Sequence, residues 1–420
     1  MPGTLTAPHL LDPQLEYVTA ETFEAYHLAI ARGFQEPPRP TTLEMDRRLF
    51  EYDRSFGFAV GERWVATYAA FSRELTVPGG ATVPTAAVTV VTVHPPFRRR
   101  GLLTRMMRRQ LEDCAERGEP LAALWASESL IYGRFGFGPA VDRAVLRGST
   151  RRLQFLPGVV TSGSTDEVTR EDYLSVAPGL HERMRQDHAG AMVRTVEQAW
   201  EFALLDEEFA RDGASELRHV LHFDEAGEPD GFATYRFKES YEGSEPTSEV
   251  RVSEVWAEEP TAYAGLWRHL LDLDLARRFR ARTTPLDERL RHMVTDARAV
   301  ETEITDGLYL RVVEVAAALR ARSYAAAVDL VLEVEDPLLP ANTGRWRLVT
   351  DSSGSADVTR VDTAPDLSLG ILELGTAYLG GVRLTELQRV GRVTEHTAGS
   401  VAAATTAFGW HRAPWATDFF

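Results

Sequence analysis

Two hydrophobic periods follow one another in the first third of this chain. Residues 56–60 and 65–71 are apolar, β-branched and aromatic runs joined by the turn Gly61-Glu62-Arg63, which predicts a hairpin. A second turn at Pro78-Gly79-Gly80 leads into a strand that ends over residues 86–93. The period then lengthens from two to 3.6. Leu102, Leu103, Met106, Met107, Gln110, Leu111 and Cys114 share one helical face, and Arg105, Arg108, Arg109, Glu112 and Asp113 share the other. That is the pattern of a helix with one side buried. Gly118 and Pro120 close the helix, and residues 121–125 form a short apolar strand. A helix connects it to the 86–93 strand, so the two are expected to run parallel.

A Gly-, Ser- and Thr-rich stretch at 157–165 marks a linker. Beyond it, strands at 231–237 and 250–256 and a helix from 261 to about 279 repeat the strand-then-helix order, which suits either a second lobe like the first or an unrelated α/β domain. Strand-like runs at 308–315, 326–334 and 344–349 follow, then helical stretches at 367–379 and 400–408. The reading is an α/β (α+β) protein in three units, 1–155, 156–305 and 306–420. The chain ends Trp415-Ala-Thr-Asp-Phe-Phe420, which is apolar for a terminus. Two readings stand: the tail docks in a pocket, or it tethers to its own unit's core.

A chain of 420 residues is too long for one ordinary core, in keeping with several units. There are 46 Lys+Arg against 62 Asp+Glu, a formal charge of −16. This disfavours nucleic acid and anionic membrane as partners. It suits a cationic substrate, although the same charge serves ordinary solubility. Cys114 is the only cysteine, which excludes an intramolecular disulfide and a multi-cysteine metal site; no metal is expected. Residues 1–11 lack the basic-then-apolar order of a leader, and no apolar run is long enough to span a membrane. A cytoplasmic location is expected.

The candidate chemistry lies where the 86–93 strand meets the helix that follows it. Val88 to Val93 is β-branched, Pro95-Pro96 breaks it, Arg98, Arg99 and Arg100 follow, and Gly101 opens the helix. A strand, a basic turn and a helix N-terminus together present backbone N–H groups and positive charge to a phosphate. Gly101 allows close backbone approach, while Arg98 and Arg99 add charge-assisted contacts. A basic turn alone is more often a solvated cluster; the preceding strand and the Val-x-Pro-x-x-Arg-Arg-x-Gly spacing strengthen the functional reading. Directly after the 121–125 strand comes Ser127-Glu-Ser-Leu-Ile-Tyr132-Gly-Arg-Phe-Gly-Phe-Gly-Pro139. Ser127 either caps a short helix or bonds a ligand. Glu128 is a candidate base whose plainer reading is structural. Tyr132 is either an aromatic cap or a phenol placed to give up a proton.

The arginine loop resembles the acetyl-CoA pyrophosphate loop of the GNAT acetyltransferases, although Leu103 stands where their pattern closes with Gly or Ala. With Ser-Glu-x-x-Ile-Tyr-Gly-Arg-Phe-Gly-Phe-Gly-Pro downstream, the chain resembles the Eis (enhanced intracellular survival) family of aminoglycoside N-acetyltransferases. Val252-Ser-Glu-Val, Leu266-Trp-Arg-His-Leu-Leu-Asp-Leu-Asp274, Leu308-Tyr-Leu-Arg-Val-Val and Ala317-Ala-Leu-Arg-Ala-Arg-Ser-Tyr324 carry the likeness along nearly the whole chain. The resemblance implies tandem GNAT lobes, of which only the first holds acetyl-CoA, plus a C-terminal sterol-carrier-protein-like domain and a homohexamer. In the second lobe Ala257-Glu-Glu-Pro260 replaces the arginine loop, and its two carboxylates would repel phosphate.

The resemblance also assigns roles. Val91, Val93, Arg98, Arg99, Gly101, Leu102 and Ser127 would hold acetyl-CoA, Tyr132 would be the general acid, and the free carboxylate of Phe420 the base. That carboxylate has an ordinary pKa of about 3.5, so it would need burial, with Phe419, Phe420 and Trp415 as the candidate surroundings. For the acceptor, Phe34 and Glu36, with Glu44 nearby, and Phe419 are the candidates. Phe419 occupies a position where an acidic residue would help to hold a polycation, and Asp418 lies one residue earlier. The leading expectation is acetyl transfer to amines of aminoglycosides or similar polyamines. A lysine or protein N-acetyltransferase, and a non-catalytic acyl-CoA or lipid-binding protein, are the alternatives.

Overall fold

A computed structural model describes residues 11–194 and 197–420. Residues 1–10, on which the expectation of no leader mostly rests, lie outside the described residues. The first sheet has the strand order Gln14–Tyr17, Phe56–Val60, Arg63–Thr76, Thr82–Val93, Leu121–Trp125, Leu308–Val312 and Gly138–Pro139. Thr82–Val93 and Leu121–Trp125 run parallel, joined through the helix Leu102–Glu116. That helix buries Leu102, Met106, Met107, Gln110, Leu111 and Cys114, the face marked by the sequence except for Leu103.

Leu121–Trp125 reads as an unbroken apolar run because both of its faces are covered. Ala122 and Leu124 pack with the Leu102–Glu116 helix. Leu121 and Ala123 face the opposite way, into a core that also holds Leu332, Leu348, Leu369 and Phe408 of the C-terminal unit. The third unit is therefore built onto the first sheet.

Sheet membership departs from chain order at two places. Leu308–Val312, placed at the start of the third unit by sequence order, pairs with Leu121–Trp125 and so completes the first sheet. Asp142–Ser149, from the end of the first unit, pairs with both Ala276–Thr284 and Val300–Asp306 in the second sheet. The remaining strands of that sheet are Ser248–Ala257, Pro229–Lys238, Arg218–Phe223 and Ser164–Val168. A five-stranded sheet forms the third unit.

Two expected helices are shorter than their sequence pattern. The 261–279 helix is Pro260–Leu271, and Ala276–Thr284 is a strand parallel to Ser248–Ala257. The helix ends at its C-cap Asp272, left-handed Leu275 (φ +65°) directly precedes the strand, and Phe279 and Ala281 then alternate with arginines at the strand period. Likewise residues 367–370 form the strand Leu367–Gly370 before the helix Ile371–Ala377 begins. Among the described residues no helix is long and apolar enough to cross a membrane.

One buried ion pair fastens the first sheet to the third unit. Arg311 lies in the Leu308–Val312 strand and Asp336 just beyond Asp329–Glu335. Arg311 Nη2 donates to both carboxylate oxygens of Asp336 at 2.8 and 2.6 Å, and both side chains are fully buried. The same carboxylate accepts from the Leu338 and Leu339 amides and from Asn342. Removing one member of such a pair strands a charge in a dry interior. We expect Asp336→Ala to cost about 3–5 kcal/mol in denaturant unfolding; a loss near zero would show that the pair does not hold the units together.

Candidate active site

Parallel pairing between Thr82–Val93 and Leu121–Trp125 runs only from Thr85–Leu121 to Val88–Leu124. Just past that point Thr82–Val93 carries a bulge against its other neighbour. Thr67 faces Thr92 and Ala69 faces Thr89, so Tyr68 opposes both Val90 and Val91. Val90 has φ +46°, a left-handed conformation costly for a β-branched residue. Thr67 holds it in place: its hydroxyl donates to the Val90 carbonyl at 2.7 Å and lies 2.7 Å from the Thr92 hydroxyl. A bulge bends its strand, and here the two parallel strands part. The opening is a cleft of about 530 Å³ with Val91 and Val93 along one side and Ser127 on the other.

The arginine loop closes one end of this cleft. After a single turn at Pro95–Phe97, Arg98 folds back so that its Nε donates to the Val93 carbonyl at 3.0 Å. Arg99 has φ +61° and Gly101 φ +78°. Left-handed residues in a short loop are a feature of the backbone concavities that bind anions. Nothing lies within 4 Å of where a Gly101 side chain would stand, so its backbone is open to approach. Gly101 is also the N-cap of Leu102–Glu116 and makes no side-chain cap. The first-turn residues Leu102, Leu103 and Thr104 line the cleft, with the positive end of the helix directed at it.

The wall opposite is the four-residue helix Ser129–Tyr132. Its N-cap is Glu128, with no side-chain cap bond, so the capping reading of Ser127 is not realised. Ser127 and Glu128 are exposed on the cleft wall instead. Tyr132 is buried, with its ring set edge-on to Phe137 at 6.2 Å. Burial, reinforced by the Glu128 carboxylate, pushes the Tyr132 phenol up to about 12. Cys114, the sole thiol, is fully buried in the core behind the cleft, and burial raises its pKa as well.

All seven residues singled out for acetyl-CoA line this one cleft together with Tyr132. Phe34 joins them because Gly33 lets the helix Phe23–Gly33 press against Thr92; a side chain at Gly33 would meet Thr92 Cγ2 at 2.5 Å. Glu36 and Glu44 lie outside the lining. Thr92, Phe97, Ile131 and Arg134 line it too and were not singled out.

The tail reaches the region from elsewhere. Phe419 stacks on Trp125 with ring centres 4.1 Å apart, and Trp125 Nε1 donates to the Asp418 carbonyl at 2.7 Å. Trp125 ends the strand that leads into Ser127. Phe419 and Phe420 border a separate small cavity with Arg73, Val193 and Phe202, not the cleft that holds Tyr132. Two details of the sequence reading change. Asp418 is not free for a cation, because its carboxylate takes Arg194 Nε at 2.6 Å. Trp415 does not surround Phe420; it packs, tilted, on Trp256 of the second lobe, ring centres 4.3 Å apart.

Comparison with known proteins agrees with this geometry. A family model described as acetyltransferase (GNAT) domain matches residues 14–140, a second of the same description matches 190–320, and a sterol carrier protein domain model matches 315–417. The chain is 43% identical over 377 residues to an uncharacterized N-acetyltransferase of Streptomyces avermitilis, covering 89% of this chain and 90% of the relative. It is 36% identical over 387 residues to the N-acetyltransferase Eis of Mycobacterium tuberculosis, covering 89% and 91%. The crystal structure of Eis1 from Mycobacterium abscessus superposes with a TM-score of 0.84 at 33% identity, over 97% of this chain and all of that one. The protein is an N-acetyltransferase with tandem GNAT domains and a C-terminal sterol carrier protein domain, and it belongs to the Eis family.

Proposed function

We propose that this acetyltransferase uses acetyl-CoA to acetylate amines of aminoglycosides or similar polyamines, with Tyr132 as general acid and the Phe420 carboxylate as general base. The single observation that supports this most is the convergence of the arginine loop, the splayed valines and Tyr132 on one cleft. The fit to acetyl-CoA rests on chemistry. The left-handed turn at Arg99–Gly101 and the uncapped helix N-terminus suit a pyrophosphate, and Val91 and Val93, past the end of parallel pairing, suit the amides of a pantetheine arm. Acetyl-CoA supplies an activated acetyl group and a thiolate leaving group. The chain supplies the rest: Arg98, Arg99, Gly101, Leu102 and Ser127 bind and orient, Tyr132 gives its proton to the departing sulfur, and the Phe420 carboxylate accepts the proton of the amine, directly or through water.

Transfer is direct rather than through an acyl-cysteine. Cys114 is buried and its thiol is held protonated, so it cannot serve as nucleophile. The cationic acceptor fits the net charge of −16. At the cleft mouth the Phe34 ring, 41% exposed, offers a face for a sugar ring. The homohexamer implied by the Eis resemblance belongs to the same reading, and sedimentation velocity reads it directly.

Tyr132→Phe removes only the phenolic proton. We expect kcat to fall about 10²–10⁴-fold, with acetyl-CoA affinity unchanged; wild-type turnover in a thiol-release assay would remove Tyr132 from the mechanism. Because the phenol's pKa is raised to about 12, the acid stays protonated as pH rises. The kcat profile should therefore show no descending limb between about pH 6 and pH 10, and a limb centred near the ordinary tyrosine value would contradict the assignment. Extending the chain beyond Phe420 by two glycines moves the free carboxylate. Turnover should drop at least about tenfold while acetyl-CoA still binds, and full activity would count against the terminal base.

A further inference from the structure

The second lobe repeats the architecture that opens the first cleft. Ser248–Ala257 and Ala276–Thr284 run parallel, joined through the helix Pro260–Leu271. Their pairing stops at Val252–Ala281. Beside that point the register against Pro229–Lys238 shifts: Thr234 faces Glu254 while Tyr235 faces Val252, so Ser253 is the extra residue of a bulge. Past the bulge, Val255, Trp256 and Ala257 border a cavity of about 150 Å³, as Val91, Thr92 and Val93 border the first cleft. The connecting loop cannot hold a pyrophosphate. Glu258 and Glu259 stand where the arginines are in the first lobe, and Pro260, at the first helical position, lacks an amide hydrogen.

The C-terminal segment occupies this second gap. The Trp415 ring lies on Trp256 of one parted strand, and its Nε1 donates to the Thr283 carbonyl of the other at 2.9 Å. Thr283 lies beyond the last paired residue, Ala281, so the indole takes up a carbonyl past the end of the parallel ladder. Trp415 is 5% exposed, and its own amide donates to the Ala189 carbonyl at 2.7 Å. Flanking residues add to the hold. The Ala413 amide donates to Asp287 at 2.9 Å, and buried Arg194 bridges Glu254, next to the bulge, to Asp418 at 2.6 Å. From there two residues remain to the end of the chain, and Phe419 meets Trp125 of the first lobe.

We infer that the second lobe's strand gap is a socket for Trp415, and that this socket sets the position of the C-terminal carboxylate at the first lobe. Trp415 is thus a positioning residue, and the catalytic consequence rests on the reading of Phe420 as base. The two claims separate in one experiment on the full chain. Carboxypeptidase A removes an accessible terminal aromatic residue, and intact mass records the loss of Phe420. In Trp415→Ala we expect Phe420 to be released about tenfold faster than in wild type. We also expect kcat to fall about tenfold, with the Kd for acetyl-CoA within about twofold of wild type. Trp415→Phe keeps a ring on Trp256 but loses the bond to Thr283; we expect it to release Phe420 about threefold faster than wild type while keeping most of kcat, and it serves as the test if the alanine variant does not fold. Unchanged Phe420 release in both variants overturns the socket. Faster release with wild-type kcat upholds the socket and overturns the terminal carboxylate as base.

Discussion

Everything in this enzyme depends on the place where two parallel strands stop pairing. A ladder that ends inside a protein leaves backbone N–H and C=O groups that must find other partners. At Val88–Leu124 the ladder ends because the next residues of Thr82–Val93 form a bulge, with Val90 in a left-handed conformation held by the Thr67 hydroxyl. The cost of that conformation is of order 1–3 kcal/mol. It is offset by burial on both faces of the neighbouring strand, where two separate cores meet. The strained residue thus sits where a rigid scaffold can hold it open.

The same device occurs twice with different occupants. In the first lobe the gap opens to solvent beside an arginine-rich loop and an uncapped helix N-terminus, so it is suited to an anionic ligand. In the second, the corresponding loop carries two glutamates and a proline, and Trp415 packs into one side of the gap, against Trp256. The second lobe thus has a gap without an anion site, and the chain's own tail lies against it. The exchange of Asp142–Ser149 and Leu308–Val312 between the sheets fixes the lobes to each other, which in turn fixes the tail relative to the first cleft.

The chemistry was legible where it is local. Residues 88–103 and 126–139 carry strand, loop, helix start and phenol within short spans, and every residue expected at acetyl-CoA lines the cleft. What depended on long-range pairing was not legible. Nothing in the order of segments shows that Leu308–Val312 returns to the first sheet, because its apolar run suits any buried strand. The helix expected to reach residue 279 had the composition of a helix, and only the left-handed Leu275 and the arginine alternation beyond it reveal the strand. Closeness in sequence puts Trp415 beside Phe420 only on paper. In an extended tail at about 3.3 Å per residue, five residues span about 16 Å, enough to place one ring in the second lobe and the other at the first. Asp418 looked free for a cation because its partner, Arg194, is 224 residues away.

The central claim is that one gap takes acetyl-CoA and the other takes the tail. Calorimetric titration of acetyl-CoA into the full-length protein counts the sites directly. The account predicts a stoichiometry of one per chain, abolished when Arg98 and Arg99 are both replaced by glutamate. Two sites per chain, or a single site indifferent to those replacements, would contradict it.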